Sequence, residues 1–240
     1  MAVDPPVFLI GVGKGEEMLG DYVLSESPLP GRKWGVSLTG PTELLLRKMG
    51  LRTLARLSVG DREATRKLHE MTLDRILATI RSLNPVPDFV LIADDCASYD
   101  GPLLPKWYME ELYLGSHESL VDEIRSIGSA AFLHADGNYG PYFEEMGSAW
   151  DLIHPLDVHP RGDLADYRSW LRAVAKLRSK IKSMIATGIA FELNNEELIV
   201  RAVKEFLELD LRDIVLSNFH PPLKELDVRM VLGMIRDALP

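Results

Sequence analysis

His134-Ala135-Asp136 sets an imidazole and a carboxylate two residues apart, directly after the apolar run Ala130–Leu133. At the end of a strand that spacing lets both side chains point to one side, since side chains alternate with a period of two. With His220, which follows the later run Ile214–Leu216, the set becomes two histidines and one carboxylate. Such a set suits Zn²⁺ or non-haem Fe²⁺ with open positions. The same residues admit a plainer reading, with Asp136-Gly137-Asn138 shaping a tight turn and His134 a hydrogen-bonded core histidine. Asp94-Asp95 follows Phe89–Ala93 and offers a general base, a partner for a histidine or a magnesium site, or else strand-end turn chemistry and helix capping. His154, Asp157 and His159 follow Leu152-Ile153, and Ser217-Asn218 precedes His220. Four of the six histidines therefore lie just past apolar runs, while His69 and His117 do not.

Positioning these groups requires strands that end together. The runs Val7–Val12, Trp34–Leu38, Phe89–Ala93, Ala130–His134, Leu152–His154, Met184–Ala186 and Ile214–Leu216 read as strands, several continuously apolar as in a parallel sheet covered on both faces. Helical signals lie between them. Glu63–Leu83 places Leu73, Ile76, Leu77, Ile80 and Leu83 on one stripe, and Asp163 can cap a helix carrying Leu164, Trp170 and Leu177. Asn194 or Asn195 before Glu196-Glu197 starts a helix through Leu209, and Asp227 starts the last. The alternation implies an α/β fold, either a (β/α)8 barrel of the TIM type or a doubly wound open sheet. Ligands of both bind at the carboxyl ends of the strands, where the polar residues gather. No linker or repeat interrupts residues 1–240, so a single domain is expected.

Composition narrows the function classes. The 240 residues carry a formal charge of −9, which argues against a nucleic-acid partner. One cysteine, Cys96, excludes an intramolecular disulfide and a multi-cysteine metal site, and no basic activator is near it in sequence. No apolar run nears the ~20 residues of a membrane span, and the opening residues lack the basic segment of a signal peptide, so a cytoplasmic protein with no membrane partner is expected. Gly11-x-Gly13-x-Gly15 lacks Walker spacing and reads as a turn, and Arg172, Lys176, Arg178, Lys180 and Lys182 read as a solvated helix face or a docking surface for an acidic partner.

Leu38-Thr39-Gly40-Pro41-Thr42, Pro87–Asp95, Gly101-Pro102-Leu103-Leu104-Pro105, Phe132–Asn138, Asp151–Leu156 and His220-Pro221-Pro222 together resemble, in order, the signatures of the uroporphyrinogen decarboxylase superfamily. The resemblance runs from about Trp34 to the C-terminus and implies a distorted (β/α)8 barrel. The superfamily holds cofactor-free decarboxylases acting on a tetrapyrrole and zinc-dependent, corrinoid-linked methyltransferases. Against the decarboxylases, Arg47 stands at the position resembling the active-site tyrosine, Phe219 replaces a glycine before His220, and the first arginine is Arg32. Against the methyltransferases, the His-x-Cys pair reads His134-Ala135-Asp136 and the later cysteine reads His220.

The resemblance thus implies metal-assisted methyl transfer or demethylation on a small substrate. His134, Asp136 and His220 would hold zinc or iron, Asp95 or Asp94 would act as base or anchor, His154 would line the mouth, and Asn138 and Asn218 would face the substrate. A corrinoid protein is the partner the resemblance implies, and an open barrel end that a second copy of the chain could complete makes a homodimer a further expectation. Decarboxylation of a tetrapyrrole or related carboxylate, and a non-catalytic subunit that binds a corrinoid protein or tetrapyrrole, are the alternatives.

Overall fold

The structure is a computed structural model that describes residues 8–11, 34–98, 100–154, 184–185 and 204. The chain divides into two compact units, Met1–Leu152 and Ile153–Pro240, and nearly all described residues belong to the first. In chain order the elements are strand β1 (Phe8–Gly11), strand β2 (Trp34–Thr39), helix α1 (Pro41–Met49), helix α2 (Leu51–Gly60), helix α3 (Arg62–Arg81), strand β3 (Phe89–Ala93), a hairpin of β4 (Ala97–Ser98) and β5 (Gly101–Pro102), the short helix α4 (Lys106–Tyr108), a π turn (Met109–Tyr113), helix α5 (Leu114–Ser126), strand β6 (Ala130–His134), a 3₁₀ turn (Gly140–Tyr142), helix α6 (Phe143–Ala149), β7 (Leu152–His154) and β8 (Met184–Ile185).

Strands β1, β2, β3 and β6 form parallel neighbours in one sheet. The fold is α/β with a parallel sheet, as the alternation of apolar runs and helices implies; among the described residues the strands do not close into a barrel. Six of the seven expected strands coincide with observed ones to within two residues at each end, and Ile214–Leu216 lies outside the described residues. So do the helices expected from Asp163, Asn194 and Asp227.

The register fixes the interior. Val36, Val90 and Ala131 make one row across the sheet and Leu38, Ile92 and Leu133 another; all six are buried. The next row is Thr39, Ala93 and His134, so three strands end level and hand over together to Gly40, Asp94 and Ala135. Two carboxylates secure strand starts: Asp88 accepts the Trp34 N–H at 2.8 Å, and Asp151 accepts the Ala131 N–H at 2.8 Å.

Local chemistry explains the helices. Proline opens α1, where its missing N–H costs nothing. Gly50, at φ +77°, ends α1 in the left-handed region and restarts the chain as α2. Asp61 caps α3, its carboxylate accepting the Ala64 N–H at 2.9 Å. The helix from Glu63 is therefore present, beginning one residue earlier than the apolar stripe indicates. Among the described residues no helix is long and apolar enough to cross a membrane.

Candidate metal centre

Because β3 and β6 are paired in register, the chain leaves both strands side by side. The Asp94 N–H donates to the His134 carbonyl at 2.9 Å, extending the ladder by one residue. One step further, the Asp136 N–H donates to Asp95 Oδ1 at 2.7 Å. His134 Nε2 lies 3.6 Å from Asp136 Oδ2, with the two side chains 26% and 40% exposed. Asp95, His134 and Asp136 each turn one ligand atom to a common point, all within 4.8 Å of one another. The donor set is one imidazole nitrogen and two carboxylate oxygens, half-buried. That composition fits Zn²⁺, Fe²⁺ or Mn²⁺, and it lacks the thiolate that would select a softer ion.

The electrostatics match such a role. Burial pushes the Asp95 carboxyl up from 3.8 to about 7; His134 pulls it down, while Asp136 and Glu43 push it further up. Burial pulls the His134 imidazole down, but the hydrogen bond and charge of Asp136 together with the Asp95 and Glu43 carboxylates leave it raised. Asp136 and Glu43 both push Asp95 up, and a cation between the carboxylates would relieve that repulsion.

Glu43 is the member that sequence reasoning missed. It sits in the first turn of α1, 8% exposed, and is ion-paired to Arg47 one turn on. It also accepts the Asp95 N–H, and burial raises its carboxyl above 4.5 despite the Arg47 charge. Its second oxygen, Oε2, is buried without a hydrogen-bond partner. The available signal was Gly40-Pro41-Thr42-Glu43, which starts a helix at the end of a strand neighbouring β3.

Asp94, adjacent to Asp95, has a different place. It is fully buried, and its Oδ1 accepts the Glu43 N–H at 2.7 Å. Gly40, at the cap of α1, has no side chain to do this. A Cβ on Gly40 would overlap the Asp94 Cβ and Cγ, so the two residues are complementary: the glycine leaves the space and the aspartate supplies the cap from the next strand.

Asn138 is exposed in the turn after β6, its side-chain oxygen accepting the Gly140 N–H at 3.0 Å and its own N–H donating to the Ser98 carbonyl at 2.9 Å. Gly137 there holds φ +106° with its α-carbon against the Ala97 backbone, a place with no room for a side chain. The turn chemistry expected of Asp136-Gly137-Asn138 is thus present together with the cluster. Cys96 is buried, donates its N–H to the Tyr139 hydroxyl at 2.5 Å, and has its thiol pushed well up by burial, which suits a core residue and not a nucleophile. His154 is the last residue of β7, and its side chain is outside the described residues, as are Asp157, His159, Asn218, His220 and the basic segment Arg172–Lys182.

A solved structure of a methyltransferase from Methanosarcina mazei superposes on the chain with a TM-score of 0.66. At 13% identity the likeness is one of fold. The match covers 88% of this chain and 59% of that one, so the chain spans about three-fifths of its neighbour's length. No family model and no curated relative matches the chain.

Proposed function

We propose that the chain is a barrel enzyme of the uroporphyrinogen decarboxylase superfamily that carries out metal-assisted methyl transfer or demethylation on a small substrate. The observation that carries this reading is the convergence of Asp95, His134 and Asp136 at the carboxyl ends of β3 and β6. The methyltransferase fold of the neighbour and the ordered signatures from Leu38 to Pro222 agree with it.

His134 and Asp136 would hold the ion, with Asp95 as a further ligand or as the base; His220, the third ligand expected from the sequence, lies outside the described residues. When bound, the metal supplies a Lewis acid that lowers the pKa of a thiol, hydroxyl or water. Asp95, beside the His134–Asp136 pair, would take the proton from such a group. The Asp136 N–H holds the Asp95 carboxylate in place, and the buried Glu43 carboxylate lies close enough to raise it. A corrinoid protein serves as methyl donor in this scheme.

Elemental analysis of the purified protein beside His134→Ala and Asp136→Ala tests it. About one equivalent of zinc or iron, lost in both variants, is expected. A protein that carries no metal and ignores added zinc, iron and manganese would overturn the reading. Decarboxylation without a metal would then come first, because a carboxyl titrating near neutrality beside His134 can also protonate a carbanion; turnover of a porphyrinogen by the metal-free chain would establish it.

A further inference from the structure

Behind the cluster, in the interior of the first unit, lie two groups that the scheme above does not use. Asp94 is completely buried, and His117, on α5, is 1% exposed. The His117 Nε2 faces Asp94 Oδ2 at 3.7 Å. Its ring is packed between Tyr113, 4.2 Å away between centroids, and Trp150, 5.3 Å away. Asp94 Oδ2 and both His117 nitrogens are buried with no hydrogen bond to the described residues, and Nε2 is the His117 nitrogen that faces the carboxylate.

Every other polar atom of Asp94 is committed to the site. Its N–H bonds the His134 carbonyl, its Oδ1 bonds the Glu43 N–H, and its carbonyl accepts the Tyr113 hydroxyl at 2.9 Å and the Tyr139 hydroxyl at 3.4 Å. One residue on, Asp95 bonds the Asp136 N–H. Asp94 is therefore the joint at which α1, β3, β6 and the helical rod through Tyr113 meet. A buried carboxylate holds such a joint only if both oxygens are balanced, since a buried charge without a partner is strongly unfavourable.

We infer that His117 is a positioning residue: paired with Asp94, it fixes the Glu43, Asp95 and Asp136 backbones in their mutual spacing. The inference rests on the reading of this strand end as a functional centre, but not on a metal being bound. Replacing His117 by leucine leaves Asp94 Oδ2 facing an apolar side chain, and the carboxylate is then driven to rotate toward other donors. That rotation releases the Glu43 N–H and slackens the turn that carries Asp95.

Amide hydrogen exchange on the full-length, chelator-treated protein reads this residue by residue. In His117→Leu the amides of Glu43 and Asp136 should exchange about tenfold faster or more, while those of Val36 and Ile92 in the strands change less than about twofold. His117→Gln, which restores a donor, should return Glu43 and Asp136 toward the wild-type rate. In an Asp94→Asn background, His117→Leu should add nothing further, because the charge it balances is gone. Unchanged Glu43 exchange in His117→Leu, or an equal rise across the strands that glutamine does not repair, would overturn the inference. If the leucine variant does not fold, His117→Asn, whose shorter side chain withdraws the donor, carries the same comparison. Metal uptake is measured separately, so a chain that binds no metal refutes the proposed chemistry while leaving the exchange result to decide the role of His117.

Discussion

The raised Asp95 carboxyl carries a stability consequence that separates a functional acid from a structural one. In the folded chain it titrates at about 7 against an ordinary 3.8, mainly through burial. A folded state that holds its proton more tightly than the unfolded chain loses stability as pH rises from the unfolded value to the folded one. The burden is absent below about pH 4 and complete above about pH 7. At about 1.4 kcal/mol per pH unit the gap corresponds to a ceiling of ~4 kcal/mol. Asp95 is only half-buried, and removing its charge deprives His134 of a neighbouring anion, so a net 1–2 kcal/mol is the estimate to test, roughly half or less of the ceiling. Asp95→Asn keeps an oxygen for the Asp136 N–H and should therefore be more stable than the wild type in metal-free buffer at pH 8.5, with an advantage that shrinks toward pH 5. Urea unfolding of the chelator-treated pair at pH 5, 7 and 8.5 gives the two curves. Added zinc should reverse the order, because an ion that binds only the folded wild-type site stabilises it by mass action. An Asp95→Asn protein less stable than wild type at pH 8.5, or a difference that does not vary with pH, would refute the reasoning.

Other perturbations follow from the same geometry. His134→Ala and Asp136→Asn should each weaken zinc binding by about 100-fold or more, read by competition with a chromophoric chelator. Because the His134 proton is held more tightly than usual, zinc affinity should fall as pH is lowered from 8 to 6, protons and metal competing for one nitrogen; an affinity flat over that range would exclude His134 as a ligand. Gly40→Ala should cost about 2–4 kcal/mol in urea unfolding, from overpacking against Asp94 and loss of its cap on α1. The backbone at Gly40, φ −73°, itself accepts alanine. Gly115→Ala, inside α5 with open space around its α-carbon, should instead stabilise by about 0.5–1 kcal/mol, and serves as the control.

Much of this arrangement is legible in the residues. Phe89–Ala93 and Ala130–Leu133 are continuous apolar runs because both faces of their sheet are covered, and the polar groups after them could be expected to meet at one end. Register is a different matter. That Thr39, Ala93 and His134 share a row, bringing Asp95 within reach of Asp136, follows from the packing of helices that no local pattern specifies. Glu43 was hidden for a related reason: an acid in the first turn of a helix is explained by the helix dipole alone, and only the fold brings it to Asp95.

Asp94-Asp95 shows where the limit lies. Adjacent residues at the end of a strand face opposite ways, so one of the two had to turn inward and the other toward the open end, yet the pair itself does not say which. The neighbouring strand does. Gly40 follows Thr39, the partner of Ala93 in the ladder, and a helix opening with Gly-Pro offers neither a side chain to cap itself nor an N–H at its first residue. The residue that follows Ala93 is therefore the one placed to supply the missing acceptor, which assigns Asp94 to the cap of α1 and leaves Asp95 to face His134 and Asp136. Once the register of the two strands is known, the aspartate that caps α1 separates from the one that faces His134 and Asp136.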